Sequence, residues 1–218
     1  MMNNTRIFNR ENSILNHYIA ELRDVNIQTD RLRFRRNIER IGECLAYEIS
    51  KELTYNSIEV NTPLGVANES LLTHQPVVAS VLRAGLPLHL GIINYFDKAE
   101  NAFVSAYREE RPDGTLAFHI DYNACPNLEG KVLVMADPML ATGNSMWLAY
   151  KALLEHGTPS KIHIAAVIAS EVGLAFIQDK FPANTQIWIG AVDPELNAMS
   201  YIVPGLGDAG DLCFGEKE

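Results

Sequence analysis

Two kinds of hydrophobic spacing divide the chain. In the N-terminal part, apolar positions recur every three or four residues, as amphipathic helices require. Leu15, Tyr18, Ile19 and Leu22 form one stripe, and Phe34, Ile38, Ile41, Leu45 and Ile49 a second. Asn12 or Ser13 is placed to cap the first helix, and Thr29 or Asp30 the second. Arg31, Arg33, Arg35, Arg36 and Arg40 lie among the second stripe and read as a solvated helix face. From residue 58 the pattern changes to short, continuous apolar runs alternating with helical segments. Val77–Leu82, Ala102–Tyr107, Lys131–Ala136, Ile162–Ala169 and Gln186–Ala191 predict buried strands. Leu86–Tyr95, about Ser145–His156 and Glu171–Lys180 predict the helices between them. The fold class is α/β, a mostly parallel sheet of five strands covered by helices on both faces. Such sheets bind ligands beyond the carboxyl ends of their strands, so the loops leaving the strands are where chemistry is sought.

Composition narrows the function. The 218 residues suffice for one domain, 1–218, with a sizeable core or a core plus a small cap. A formal net charge of -9 argues against a nucleic-acid surface but leaves room for a local basic pocket around one anionic ligand. The longest apolar runs, such as Ile162–Ala169, are too short to span a bilayer, and Met1, Met2, Asn3 and Asn4 offer no signal-peptide core. Cys44, Cys125 and Cys213 are scattered, odd in number and without a C-x-x-C pair. Neither a zinc site nor a disulfide framework is expected, and a reducing cytoplasm fits.

Three loops and a tail carry candidate chemistry. Val81-Leu82-Arg83-Ala84-Gly85-Leu86-Pro87 follows a strand, and its backbone N–H groups and guanidinium suit a phosphate or pyrophosphate. Ser105 to Gly114, with Arg108 and Arg111 before a Pro112-Asp113-Gly114 turn, reads as a hairpin able to carry an arginine into a site. Asp137-Pro138-Met139-Leu140-Ala141-Thr142-Gly143-Asn144-Ser145 joins a buried strand to a helix. Its amides and hydroxyls suit a phosphate at a helix N-terminus, and Asp137 is placed to accept from sugar hydroxyls. No G-K-[ST] is present, so nucleoside triphosphate hydrolysis is not expected. Tyr201 to Asp211 reads as a structured loop, neither helix nor strand, whose backbone can recognise the edge of a planar base.

The strings LRAG (Leu82–Gly85), YRE (Tyr107–Glu109), DPMLATGNS (Asp137–Ser145) and YIVPGLGDAGD (Tyr201–Asp211), with their spacing, resemble the uracil phosphoribosyltransferases of the type I phosphoribosyltransferase class. The resemblance implies a parallel five-stranded core with a small hood, to which the N-terminal helices and C-terminal loop contribute, and a mobile β-arm between Arg108 and Asn123. It implies joining of uracil to the ribose 5-phosphate of phosphoribosyl pyrophosphate (PRPP), with Mg²⁺ bound mainly through PRPP and water and no metal-ligating residue. It implies a homodimer or higher homo-oligomer. The PRPP set is Arg83, Arg108, Asp137, Pro138, Met139, Leu140, Ala141, Thr142, Gly143, Asn144, Ser145 and Asp208. The uracil set is Tyr201, Ile202, Gly207, Asp208 and Ala209. Asp137, Arg108 and Asp208 are the implied catalytic residues.

Three positions depart from the family pattern. Ala136 precedes Asp137 where the wider class often has a second acid, Asn144 replaces a usual Gly, and Leu212 replaces a usual Arg. The alternative expectations are transfer to another base and a regulatory pyrimidine-nucleotide sensor that retains the fold.

Overall fold

The computed structural model describes residues 4–110 and 116–216, with backbone alone for 106–110 and 116–119. The chain opens with a short strand, β1 (Thr5–Ile7), then α1 (Leu15–Arg23) and α2 (Arg31–Ser50). Leu15, Ile19 and Leu22 are buried on α1, while Phe34, Ile38, Ile41, Leu45 and Ile49 form a continuous buried stripe on α2. Asp30 caps α2 by accepting from the Arg33 amide at 3.1 Å. Neither Asn12 nor Ser13 caps α1, whose N-cap position falls to Ile14 without a side-chain bond. The arginine row is not uniformly solvated either. Arg33 pairs with Glu21 and Arg36 with Glu39, but Arg35 turns inward and donates to the Cys213 carbonyl at 2.6 Å.

An antiparallel hairpin, β2 (Tyr55–Thr62) and β3 (Gly65–Leu72), follows; the apolar-run pattern does not predict it, because its residues alternate with polar ones and stay largely exposed. The remaining elements are β4 (Val77–Leu82), α3 (Leu86–Ile93), β5 (Glu100–Glu110), β6 (Leu116–Ala124), β7 (Val132–Ala136), β8 (Met139–Leu140) and α4 (Asn144–Leu153). After them come β9 (Lys161–Ser170), α5 (Glu171–Lys180), β10 (Gln186–Asp193), β11 (Glu195–Leu196), β12 (Ile202–Val203) and α6 (Ala209–Phe214).

The central sheet runs β1-β10-β9-β7-β4-β5-β6, with β8 beside β9. The five expected strands are its parallel core. β1 extends one edge in parallel and β6 the other in antiparallel, so the sheet is larger than five strands. Alternation along the strands feeds two cores. Val78, Val134 and Ala136 face the layer of α1 and α2, while Val77, Ala79, Leu133 and Met135 face that of α4 and α5. β4 is the first core strand, yet it lies between β5 and β7. The chain leaves β4 for one side and returns on the other, so the β4–β7 boundary is a topological switch point, where open α/β sheets form a ligand crevice.

Candidate active site

The loops after β4 and β7 emerge side by side at this switch point. The first turns back tightly, and the Leu82–Arg83 peptide is cis. A Cβ at Gly85 would stand 2.6 Å from the Val81 carbonyl oxygen and 2.7 Å from that of Ala136, so only glycine lets the turn lie against the end of β7. Arg83 Nη2 donates to Asp211 Oδ1 and to the Gly215 carbonyl, both at 2.7 Å. Its Nε is buried and has no partner among the described residues.

Asp137 ends β7. Its backbone N–H reaches the Ala165 carbonyl at 3.2 Å, and its Oδ1 accepts from the Met139 amide at 3.1 Å. Burial pushes its carboxyl up to about 7, against which the Met139 amide is a lesser, opposing effect. The following residues are not free loop. β8 pairs with β9, and the Pro138 carbonyl accepts from Val167 and Ile168 at 3.1 and 2.9 Å. Ser170 Oγ donates to the Ala141 carbonyl at 2.5 Å while accepting from the Gly173 amide at 2.8 Å. Gly143, at φ 79°, makes the turn into α4. Asn144 lies inside α4 and is not among the positive-φ residues, so tolerance of a left-handed backbone is not what admits it. Its amide and Nδ2 instead donate to Thr142 Oγ1 at 3.4 and 3.2 Å, which turns that hydroxyl into the local turn.

The tail is more ordered than a loop. β12 pairs with β11, the Val203–Pro204 peptide is cis, and Gly205 and Gly207 take φ of 59° and 89°. The chain then enters α6, because Asp208 caps it by accepting from the Asp211 amide at 3.0 Å. Leu212 sits against the loop, with Cδ1 3.5 Å from where a Gly207 Cβ would stand.

One cleft of about 190 Å³ gathers these segments. Arg83 and Ala84 come from the first loop, Asp137, Met139 and Ser145 from the third, and Asp208, Ala209 and Gly210 from the tail. Gly207 and Asp208 also line a neighbouring cleft with Gln28 and Arg31. Of the other sequence candidates, Leu140 and Ile202 are buried in the two cores, and Tyr201 is exposed. Pro138, Ala141, Thr142, Gly143 and Asn144 are not among the residues that line the cleft. Arg108 lies in β5 opposite Phe118. Its side chain, Arg111 and the Pro112-Asp113-Gly114 turn lie outside the described residues. Sequence reasoning missed Arg23, Asp193, Gln28 and Asp211. Asp211 was within reach as the last residue of the tail motif, but the others carry no local signal.

A cleft with a guanidinium, two carboxylates and a helix N-terminus at the switch point suits a polyanionic sugar phosphate. The comparisons give the same direction. The family described as uracil phosphoribosyltransferase matches residues 9–216. A uracil phosphoribosyltransferase of Porphyromonas gingivalis is 58% identical over 207 residues, which is 95% of this chain and 96% of that protein. One from Methanothermobacter thermautotrophicus is 41% identical over 188 residues, 85% of each chain. Among solved structures, the AQ2163 protein from Aquifex aeolicus superposes with a TM-score of 0.85 at 32% identity, covering 97% of this chain and 98% of that one. The chain therefore belongs to the uracil phosphoribosyltransferase family.

Proposed function

We infer that the chain transfers the 5-phosphoribosyl group of PRPP to uracil, giving UMP and pyrophosphate. The observation that carries this reading is the convergence of Arg83, Asp137, Ser145, Asp208 and Ala209 on one cleft in a member of this family. In the proposed arrangement, Arg83 and Arg108 hold the pyrophosphate and Ala141–Ser145 the 5-phosphate. Asp137 accepts from the ribose hydroxyls. Ile202 and Gly207–Ala209 present backbone groups to uracil, and Asp208 faces both ligands. Displacement at the anomeric carbon passes through an oxocarbenium-like state and needs no enzymic nucleophile. The protein holds uracil N1 in line with that carbon and stabilises the leaving group. Mg²⁺ would be bound mainly through PRPP oxygens and water, and the two carboxylates of the cleft are hard oxygen acceptors suited to hydrogen bonds from its waters. Bound there, the ion would neutralise charge on the pyrophosphate.

We place the chain as a single domain acting in a homodimer or larger homo-oligomer in the cytoplasm. The hairpin β2–β3 supports the assembly. By register, Ile58, Val60, Ala67 and Leu71 share one face, and Leu64 at the tip is fully exposed. A lone two-stranded hairpin is marginal in water, and a second copy would cover that face. The three unpaired cysteines fit the location, and no helix among the described residues is long and apolar enough to cross a membrane.

The test is UMP formation from uracil, PRPP and Mg²⁺, with cytosine, hypoxanthine and orotate as competitors. Cytosine offers a donor where uracil offers an acceptor, leaving buried groups unpaired at about 1–3 kcal/mol each. Uracil is expected to be strongly preferred. Comparable rates with a purine would remove the uracil assignment, and no turnover with any base would favour a nucleotide sensor.

A further inference from the structure

The stretch that links Ile202 to the proposed base-facing residues Gly207–Ala209 is not held by its own backbone. Among the described turn and loop bonds, none has a donor or acceptor between residues 203 and 207. The β12 ladder stops at Val203. What holds the segment is an ion pair reaching in from both ends of the chain. Arg23, the last residue of α1, forks onto Asp193, the last residue of β10, with Nη1–Oδ2 and Nη2–Oδ1 both at 2.8 Å. The same two side chains clasp Gly205. Arg23 Nη1 donates to its carbonyl at 3.0 Å, and Asp193 Oδ2 accepts from its amide at 3.0 Å. Gln28 adds a third hold, its Nε2 donating to the Leu206 carbonyl at 3.3 Å and to Leu22 O at 2.9 Å.

We propose that Arg23 and Asp193 are positioning residues for base recognition, fixing Gly205 so that Gly207–Ala209 meet the base in register; this rests on the uracil reading above. Asp193 is 6% exposed. Burying such a pair gains little stability over an apolar pair of equal volume, so fold stability alone does not account for it. Its geometry does. A fork satisfies both backbone groups of one glycine at once, whereas apolar packing would leave them unpaired. Recognition by backbone groups tolerates little displacement, because the reading atoms cannot rotate independently of the chain.

The test combines peptide-resolved hydrogen exchange of the ligand-free full chain with steady-state kinetics. The variants are Arg23→Gln, Arg23→Lys and the charge-balanced double Arg23→Gln/Asp193→Asn, which avoids stranding a buried carboxylate should the single change fail to fold. In the Gln variants, exchange in 202–207 is expected to rise about tenfold or more while 137–145 stays unchanged. KM for uracil should rise about tenfold with KM for PRPP within about twofold, and Arg23→Lys should restore part of the loss. Unchanged exchange in 202–207, or equal rises in both KM values, would overturn the proposal. So would unfolding of the double variant, which would make the pair a folding element. A wild-type protein that forms no UMP removes the uracil reading and the proposal with it, whereas normal wild-type turnover with unaltered variants removes the proposal alone.

Discussion

Arg83 donates to Asp211 at 2.7 Å, while Asp137, lining the same cleft, accepts only the Met139 amide among the described residues. The cleft thus holds a cation paired with a neighbouring carboxylate and a second carboxylate that burial drives toward its protonated form. In the arrangement proposed above, an incoming pyrophosphate–ribose would compete with Asp211 for the guanidinium and bring hydroxyl donors to Asp137.

Asp137→Asn separates stability from activity. The folded carboxyl is raised from 3.8 to about 7, so the folded state binds the extra proton across that interval. Its contribution to stability is fully present below the ordinary value and is lost as pH rises through about 7. Asn keeps an acceptor for the Met139 amide and carries no charge to desolvate. The variant should therefore melt higher than wild type at pH 8 and lose that advantage toward pH 5. UMP formation should fall by about ten- to a hundredfold or more, because a charge-assisted hydrogen bond is lost. A melting difference independent of pH would contradict the raised carboxyl, and near-normal turnover would take Asp137 out of the reaction.

Arg83→Ala removes two bonds that reach α6, to Asp211 and to the Gly215 carbonyl. Because the pair is about a third exposed, screening keeps the stability loss to about 1–2 kcal/mol. KM for PRPP should rise about tenfold or more, with KM for uracil less affected. Wild-type PRPP kinetics in a folded variant would reassign the pyrophosphate contact.

Ser170→Ala acts on the loop between β7 and α4, the proposed 5-phosphate seat. One buried hydroxyl bridges the part-buried Ala141 carbonyl and the buried Gly173 amide, so its loss leaves both unpaired, at about 1–3 kcal/mol. Thermal melting should drop accordingly, and KM for PRPP should rise because the turn at Ala141–Gly143 loses its anchor. Ser170→Thr, which keeps the hydroxyl, is the matching control; a normal melt for Ser170→Ala would show that the bridge contributes nothing.

Gly143→Ala and Gly130→Ala form a matched comparison. Both glycines have left-handed φ, 79° and 71°, but a Cβ at Gly143 would meet the Phe176 ring at 2.8 Å, whereas at Gly130 nothing stands within 4 Å. Gly130→Ala should cost about 1 kcal/mol from backbone strain alone, with normal turnover. Gly143→Ala should cost about 1 kcal/mol more and impair PRPP use, since the collision falls at the entry to α4. Equal costs would show that the Phe176 side of the turn yields freely.

The five core strands and the stripes of α1 and α2 were legible because each is a long periodic or continuous apolar pattern. The loops after β4 and β7 were legible because glycine, arginine and acid residues cluster within a few positions. β1 was too short to carry a pattern, and β2–β3 alternates without burial, so neither announces itself. The helix starting at Ala209 was hidden by the glycines before it, although Asp208 followed three positions later by Asp211 is a capping arrangement. Arg23, Asp193 and Gln28 had no such signature. Arg23 and Asp193 each end an element and Gln28 lies in the turn between α1 and α2, and each finds a partner distant in sequence that no nearby residue signals.

Arg23 and Asp193 are 170 residues apart, and Arg83 and Asp211 are 128 apart. Loop-closure entropy must be met before contacts of such separation form, as it must for the pairing of β1 with β10, so both are costlier to reach than the local contacts of α1 with α2. In a chain made from its N-terminus, every strand of the central sheet emerges before Ile202–Phe214, so this tail is the last part able to dock. Acquisition of UMP-forming activity should then lag the acquisition of sheet structure during refolding.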